Sequence, residues 1–384
     1  MMNIGVLKET SDGETRVALV PAHVGPLLKK GHHVLIEKGA GKAAGYADAS
    51  YKEKGASVIE SRDALINDVD VILTVRAGAA SDQGEALAEK LTKKHVIIGM
   101  MEPYAPHPAF DRFHAGNVTA FSMERIPRTT RAQSMDVLSS MANLAGYASA
   151  IIGANHCPKM FPMMMTAAGT IPPANVFVLG VGVAGLQAIA TAKRLGAVVS
   201  AYDVREEVKE QVESLGAKFV VFDLESAAGE GGYAKEMDAA FYAKQRELMK
   251  DALATKDVVI TTANIPGKKA PTLITETMVK AMQPGSVIVD LAAERGGNCE
   301  LTKPGDTIVK HGVTIVGPKN VAAMLVHNAS LLYSRNITAF LDNLYKKDEP
   351  GVIDWDDDIV QATVITKEGR VQDDLSHLIG GKTA

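Results

Sequence analysis

Three glycines, Gly180-x-Gly182-x-x-Gly185, directly follow an apolar run at 176–179. After a parallel strand, the first glycine of this spacing allows a tight turn, and the second lets a pyrophosphate approach the backbone. The third lets the next helix pack closely on the strand. The N–H groups and positive dipole end of that helix suit a phosphate anion. Any tight strand–helix turn can carry such glycines, but the complete strand, turn and helix context predicts a dinucleotide site.

An acidic residue, Asp203, ends the next predicted strand, 23 residues after Gly180. A carboxylate here accepts hydrogen bonds from ribose hydroxyls, and it would repel a 2′-phosphate by about 4 kcal/mol at 4 Å and an effective dielectric near 20. Arg205 complicates this choice, because arginines near this position can favour NADP. Glu206 and Glu207 follow it, so we interpret Arg205 as part of a solvated helix start and expect NAD(H).

A second polar cluster lies before a long helical stretch and contains Arg128, Gln133, Asp136 and Ser139. A helix N-terminus would explain the acid near its cap but not the glutamine. If this loop faces a cleft, it meets the nicotinamide end of a dinucleotide held at the glycine turn. The loop contains no obvious general base, which fits a reaction that needs none.

A glycine-rich segment at 226–235 interrupts the second half of the chain and carries Tyr233. Three glycines and few apolar residues indicate a mobile loop. An exposed aromatic side chain on such a loop suggests a lid that closes on a ligand or partner. A simple Ω-loop explains the composition equally well, so both interpretations stay open.

The elements expected to position these residues alternate between strand and helix, which is typical of βαβ units and a mainly parallel sheet. In the first half, helices are predicted at 21–30 and 83–93, and strands at 3–7, 33–37, 56–60, 70–75, 95–100 and 118–123. A long connecting helix is predicted within 130–154. The strands of a second unit follow at 176–179, 198–202, 218–222, 258–261, 286–291 and 313–316.

Near the C-terminus, residues 328–345 predict an amphipathic helix that crosses back to the first domain, and 359–371 predict a strand hairpin turning at Glu368-Gly369. The predicted fold class is therefore α/β, with two Rossmann-like doubly wound parallel-sheet domains separated by a cleft and joined by long helices. The first domain comprises 1–137 and 328–384. The second comprises 138–327, with a mobile loop at about 224–238.

Composition excludes several classes of function. The 384 residues are 46% hydrophobic with a net charge of −4 and no basic stripe, which predicts a soluble globular chain and no nucleic-acid partner. The N-terminus does not resemble a signal peptide, and no run of 18 apolar residues predicts a membrane span. Cys157 and Cys299 lack metal or redox spacing, so we expect a reduced cytoplasmic compartment and no metal. The Met163-Met-Met165 run suggests packing or interface material.

Several motifs together resemble the NAD(H)-binding component of the proton-translocating NAD(P) transhydrogenase family. They are Arg131-Ala-Gln-Ser-Met-Asp-Val-Leu-Ser-Ser with Asn143-Leu-Ala-Gly-Tyr147, Phe161-Pro-Met-Met-Met-Thr-Ala-Ala-Gly-Thr170, the Gly180–Gly185 turn, Gly231-Gly-Tyr-Ala-Lys-Glu-Met237 and Asp290-Leu-Ala-x-Glu-x-Gly-Gly-Asn298. The resemblance covers essentially the whole chain. It implies that Arg128, Gln133, Asp136 and Ser139 surround the nicotinamide and form the catalytic loop. It also implies that the loop with Tyr233 and Met237 closes on the nucleotide.

The same resemblance implies hydride transfer from NADH to NADP⁺, with NADP(H) on a partner domain and a membrane-spanning proton-channel component. It further implies a homodimer, peripheral on the inner face of the cytoplasmic membrane. We extend the predicted nucleotide contacts along the glycine turn and its neighbours to Val183, Ala184, Val204, Arg205, Gly232, Gln245, Ala263 and Asn264.

The alternative is an alanine dehydrogenase, whose opening pattern the chain shares through Arg16. That family uses a lysine, a histidine and an aspartate at positions that fall here on Arg76, near Met100 and on Glu294. Without the histidine, proton transfer at the amino acid has no obvious carrier. A third possibility, a non-catalytic NAD(H)-binding regulatory module, stays open because the loop has no general base.

Overall fold

The computed structural model describes residues 1–222, 237–265, 267–346, 348–349 and 351–379. Strands and helices alternate through these residues, so the α/β prediction is confirmed. The chain divides into two compact units. Met1–Met141 with Leu325–Ala384 form the first unit, and Ala142–Met324 form the second.

The strands are β1 Asn3–Val6, β2 His33–Glu37, β3 Ser57–Ile59, β4 Val71–Arg76, β5 Val96–Met100, β6 Thr119–Ser122, β7 Met164–Thr166, β8 Gly169–Ile171, β9 Asn175–Leu179, β10 Val198–Tyr202, β11 Lys218–Phe219, β12 Val258–Thr261, β13 Val287–Asp290, β14 Thr307–Lys310, β15 Val313–Val316, β16 Val364–Lys367 and β17 Arg370–Val371. The α-helices are α1 Val24–Lys29, α2 Asp48–Glu53, α3 Arg62–Asp68, α4 Gly84–Ala88, α5 Pro108–Ala115, α6 Val137–His156, α7 Val183–Arg194, α8 Lys209–Ser214, α9 Ala239–Ala254, α10 Glu276–Ala281, α11 Val326–Leu344 and α12 Asp358–Thr363.

Both units are built on the same strand order. In the first, β3-β2-β1-β4-β5-β6 are parallel, and β16 and β17 extend the sheet antiparallel at the β6 edge. In the second, β11-β10-β9-β12-β13-β15 are parallel, and β14 is antiparallel at the β15 edge. In each case the order reverses beside the first strand of the unit, which is where ligands bind in doubly wound sheets.

The central strands are apolar on both faces, as strands covered by helices on each side require. In β9, Val176, Phe177, Val178 and Leu179 are all fully buried. Their two faces pack into separate apolar clusters, with Val176 and Val178 in one and Phe177 and Leu179 in the other. The carboxyl end of β9 is thereby held in place where the glycine turn begins.

Two predicted elements were too long. The helix predicted at 83–93 is limited to α4, Gly84–Ala88, and the strand predicted at 218–222 is limited to β11, Lys218–Phe219. The predicted connecting helix is preceded by a 3-10 run at Thr130–Met135, and α6 begins only at Val137.

The prediction that 359–371 is entirely a strand hairpin was wrong for its opening residues. Residues Asp358–Thr363 form α12, because the Asp357 side chain caps it by accepting hydrogen bonds from the N–H groups of Ile359 and Val360. The predicted turn at Glu368-Gly369 does join β16 to β17. Both residues have positive φ, 48° and 81° respectively.

One helix in the described part of the chain, α6, is long and apolar enough to cross a membrane by length and composition alone, with a mean hydropathy of 1.3. The core helix of a folded domain satisfies the same criterion, so this is weak evidence for a span. Ser, Asn and Gly residues interrupt its apolar run, which is why the sequence contains no continuous apolar stretch of spanning length.

Candidate nucleotide-binding site

The glycine turn between β9 and α7 requires each of its glycines for a different reason. Gly180 has φ +90°, and a Cβ there would lie 2.8 Å from the Thr262 hydroxyl. A Cβ on Gly185 would lie 2.0 Å from the carbonyl oxygen of Gly180. A Cβ on Gly182 would have no described atom within 4 Å, so this position faces open space. The second glycine therefore leaves room for a ligand, whereas the other two serve the turn and the packing.

Helix α7 begins directly after the turn. Its N-cap is Gly182, and no side chain caps its first N–H groups. These donors, together with the helix dipole, are available for an anion. Val183 and Ala184 form the first helical turn and are half-buried. The residues predicted to cradle a pyrophosphate thus meet the geometric requirements for it.

Helix α6 supports this turn through Gly146, a residue that the sequence analysis did not select. A Cβ on Gly146 would lie 2.1 Å from the carbonyl oxygen of Ala184 and 3.0 Å from the Cβ of Gln187. Only glycine allows α6 to approach the first turn of α7 so closely. A small residue within an apolar helix was the available signal, but sequence alone does not identify the neighbour that requires it.

Asp203 lies at the end of β10, as predicted, and is buried. One carboxylate oxygen accepts from the N–H of Val181 at 2.6 Å, inside the glycine turn. The interpretation of Arg205 as a solvated residue was wrong, because Arg205 is only 6% exposed. Its Nε and Nη2 donate to the two oxygens of Asp203, both at 2.9 Å, and its backbone N–H donates at 2.9 Å.

This pairing changes what Asp203 can do. Each carboxylate oxygen already accepts two hydrogen bonds, which matches the four acceptor positions of a carboxylate. The Asp203 hydrogen bonds also raise the pKa of Arg205, so the guanidinium stays charged. A ribose hydroxyl can reach this carboxylate only by sharing or displacing one of these donors. Glu206, as predicted, is exposed.

A small open depression lies beside this pair and is lined by Tyr202, Asp203, Val204, Phe219 and Phe222. The rings of Tyr202 and Phe222 are 4.8 Å apart. Aromatic and aliphatic walls next to a ribose-binding carboxylate fit an adenine ring. Together with the open turn at Gly182, the residues present therefore fit an adenine dinucleotide.

The loop after β12 is fixed to the glycine turn and contains two predicted contact residues, Ala263 and Asn264. The Thr262 hydroxyl donates to the carbonyl of Gly180 at 2.9 Å. Asn298, which is fully buried, accepts from the N–H of Ala263 at 3.1 Å and donates to its carbonyl at 2.9 Å. The supporting roles of Thr262 and Asn298 were missed, because both depend on contacts between distant parts of the sequence.

Gln245 is buried on α9, where its side-chain amide donates to the Tyr202 hydroxyl at 3.2 Å. Its Oε1 has no hydrogen-bond partner among the described residues. The structure thus places Gln245 behind the aromatic wall of the depression. Gly232 and Tyr233 lie outside the described residues.

The four residues of the predicted catalytic loop all belong to the first unit. Arg128 and Gln133 are exposed. Asp136 accepts from the N–H of Ser139 at 2.9 Å and from its hydroxyl at 2.6 Å. Asp136 therefore caps the first turn of α6, which confirms the alternative interpretation of this acid as a cap. The exposed amide of Gln133 has no such structural explanation.

The residues aligned with an amino-acid site are engaged differently. Arg16 and Arg76 both bind the buried carboxylate of Glu14, with Nη2 of Arg16 at 2.6 Å and Nε of Arg76 at 2.8 Å. The Glu294 carboxylate accepts from the N–H of Asn320 at 3.0 Å. The described residues contain no cluster of three or more His, Cys, Asp or Glu side chains suited to a metal.

Comparisons with known proteins agree with this arrangement. Residues 5–145 match the family model "Alanine dehydrogenase/PNT, N-terminal domain", and 149–374 match "Alanine dehydrogenase/PNT, C-terminal domain". The chain is 46% identical over 374 residues to the first of the polypeptides that make up NAD(P) transhydrogenase subunit alpha of Rhodospirillum rubrum, covering 96% of this chain and 97% of that protein. The chain belongs to the NAD(P) transhydrogenase alpha-subunit family. This membership confirms the resemblance and implies nicotinamide nucleotide binding.

Solved structures support the same assignment. The transhydrogenase from Sinorhizobium meliloti superposes with a TM-score of 0.85 at 44% identity, covering 96% of this chain and 100% of that one. An L-alanine dehydrogenase superposes with a TM-score of 0.81 at 24% identity, covering 98% of this chain and 99% of that one. At that identity the likeness to the dehydrogenase shows the fold alone.

Proposed function

We propose that this chain is the NAD(H)-binding subunit of a proton-translocating NAD(P) transhydrogenase. The observation that carries the proposal is the turn at Gly182, which is open to a ligand beside the buried Asp203, in a chain of the transhydrogenase alpha-subunit family. The second unit binds NAD(H) through the turn, the carboxylate and the aromatic depression. NADP(H) binds to a separate partner domain.

The proposed reaction moves one hydride with its electron pair from C4 of NADH to C4 of NADP⁺. The products are NAD⁺ and NADPH, and no proton is gained or lost at the reacting carbons. The protein must therefore hold two rings as a near-attack pair, and it needs no general base. The absence of an obvious base in the loop with Gln133 is compatible with this chemistry.

We assign the loop residues separate roles in this reaction. Gln133, exposed on the loop, positions the two rings. Arg128 holds the ribose or a phosphate of NAD(H). Asp136 fixes the loop geometry by capping α6, and Ser139, whose hydroxyl it binds, contributes the contact to the nicotinamide carboxamide.

The proposed partners are a second copy of this chain, an NADP(H)-binding domain and a membrane-spanning proton channel that couples transfer to proton movement. The chain would then lie on the inner face of the cytoplasmic membrane. Support for the homodimer comes from the β7–β8 hairpin, where Met163 is 60% and Met165 is 77% exposed. Exposed apolar side chains of this size favour burial against another protein surface.

The test of the function is hydride exchange from NADH to an NADP⁺ analogue, with and without an NADP(H)-binding domain of a transhydrogenase. Gln133→Asn shortens the side chain by one methylene, and a misplacement of about 1 Å can lower a rate by roughly a hundredfold. We expect that loss of rate with nearly unchanged NADH affinity. Normal transfer in the variant would make the loop structural, and deamination of alanine by the wild-type chain would overturn the assignment.

A further inference from the structure

The loop that carries Gln133 has little regular structure to hold it. Thr130–Met135 form a six-residue 3-10 run, and such runs are uncommon beyond three or four residues because their hydrogen bonds have poor geometry. Within this run, only Ala132 and Met135 are buried. The conformation of the exposed Gln133 must therefore depend on contacts from outside the run.

One such contact comes from α11, which packs against this loop. Asn336 on α11 is 5% exposed, and its Nδ2 donates to the carbonyl oxygen of Ser134 at 2.8 Å. Ser134 follows Gln133 directly in the chain. A hydrogen bond to this carbonyl fixes the peptide plane next to the glutamine, and with it the direction in which the glutamine side chain leaves the backbone.

This amide does not serve stability well. The Oδ1 of Asn336 is buried and has no hydrogen-bond partner among the described residues. A buried polar atom without a partner is unfavourable, whereas a leucine of similar size would fill the same space with no such atom. Ser134 is exposed, so its carbonyl could be hydrated if the asparagine were absent. What the asparagine provides is a defined position for the loop.

A second contact holds the other side of Gln133. Arg131 donates to Asn343 at 3.0 Å and to Asp357 at 2.6 Å, and it also pairs with Asp358. Its side chain is 49% exposed, so solvent weakens these interactions. The hydrogen bond from Asn336 is shielded from water, which makes it the more effective of the two restraints.

We propose that Asn336 is a positioning residue for hydride transfer, acting through the Ser134 carbonyl to hold Gln133. This inference rests on the proposed function. The discriminating variant is Asn336→Leu, which removes both the hydrogen bond and the unpartnered oxygen. We expect transfer in the reconstituted complex to fall by about ten- to a hundredfold. NADH affinity should stay within about twofold, because the loop contact does not touch the glycine turn, and the melting temperature should be unchanged or higher.

Ser334→Ala is the matched control on the same helix. Ser334 is fully buried, and its hydroxyl binds the N–H of Val20 at 3.1 Å and the ring of His23 at 2.6 Å. This substitution should lower the melting temperature and leave transfer normal. The opposite pattern in the two variants separates a positioning role from a purely structural one.

Two further measurements complete the test. In the double variant with Gln133→Asn, Asn336→Leu should add little further loss, because both changes act on the same contact. In the chain alone, amide hydrogen exchange across Thr130–Met135 should accelerate in Asn336→Leu and not in Ser334→Ala. Normal transfer in Asn336→Leu, or unchanged exchange of the loop, overturns the inference. Failure of the wild-type complex to transfer hydride overturns the proposed function, and the exchange measurement still tests whether Asn336 orders the loop.

Discussion

The two sheets have the same order of parallel strands, yet they treat the carboxyl ends of their first strands differently. In the second unit, β9 runs into Gly180 and Gly182, and the space above the turn is open. In the first unit, the corresponding strand β1 is followed within three residues by Glu9. The Glu9 carboxylate accepts from the N–H groups of Val75 and Arg76 at the end of β4, at 2.6 and 3.2 Å.

Charged side chains of the first unit therefore occupy the place where its order reverses. Next to Glu9, Glu14 is fully buried between Arg16 and Arg76. A buried group of this kind is strongly destabilising if one partner is lost, because a charge is then left unpaired. The comparison shows that the doubly wound topology creates a crevice in both units, and that the side chains decide whether it stays available to a ligand.

The first prediction concerns the pH dependence of the closed crevice and has the largest expected effect. Burial raises the pKa of Glu9 from 4.5 to about 7, against hydrogen bonds that lower it. The folded chain thus holds a proton that the unfolded chain releases, so this group makes the free energy of unfolding fall as pH rises from about 4.5 to 7. The upper limit is on the order of 3 kcal/mol.

Glu14 has the opposite sign. Burial alone would raise its pKa, but the hydrogen bonds and charge of Arg16 lower it from 4.5 to about 2. Its contribution is present above pH 4.5 and is lost as pH falls towards 2. The two groups together favour maximum stability near pH 4.5 to 5. Trp355, the single tryptophan, belongs to the first unit, where it stacks on Phe121, so its fluorescence follows unfolding of that unit.

The measurement is urea unfolding of wild type and Glu9→Gln, followed by Trp355 between pH 5 and 8. The wild type should lose stability with rising pH, and the variant should have a flatter profile. Some slope should persist in the variant, because burial also raises the pKa of Glu124. Parallel profiles for the two proteins would show that Glu9 does not hold the proton.

The second prediction concerns the open crevice. Gly182→Val places a branched side chain where no described atom lies within 4 Å, so it fills space that the nucleotide needs. We expect NADH affinity to fall at least about a hundredfold, which is about 2.7 kcal/mol, with the melting temperature nearly unchanged. Gly25→Val is the control, because Gly25 also faces open space and lies in the first unit. Retained NADH binding by the Gly182 variant would remove the turn from the site.

The glycine turn, Asp203 and the strand order around them could be predicted from sequence because their signals are local. A tight turn after an apolar strand requires glycine whatever the rest of the chain does. The burial of Arg205 was not predictable, since the adjacent Glu206 and Glu207 suggest a solvated segment and only the folded turn shows that Arg205 folds back onto Asp203.

Other parts of the site were missed for the same physical reason. Asn336 contacts a carbonyl 202 residues away in sequence, and Asn298 contacts Ala263 across 35 residues. No periodicity or local motif encodes such a pair. Helix α12 was mistaken for a strand because its cap, Asp357, was not recognised as a helix start.

The last prediction, with the smallest effect, concerns the pair at the end of β10. Sequence reasoning assigned discrimination against NADP(H) to the negative charge of Asp203. Because the guanidinium of Arg205 binds both oxygens of this carboxylate, much of that charge is neutralised. Arg205 should therefore weaken the discrimination, and Asp203 should strengthen it. The two substitutions are expected to shift the ratio of NADH to NADPH affinity in opposite directions.

In Arg205→Ala the carboxylate is left without its counterion, so the preference for NADH over NADPH should increase by about tenfold. In Asp203→Ala, NADH affinity should fall by about tenfold through loss of the ribose contact, while NADPH affinity changes less and the preference narrows. Asp203→Asn keeps the shape of the side chain and should give the same narrowing with less loss of stability. Both affinities are measured by fluorescence titration, with thermal melting as the check on folding. A preference that moves in the same direction in the Arg205 and Asp203 variants would show that their ion pair does not control the choice of nucleotide.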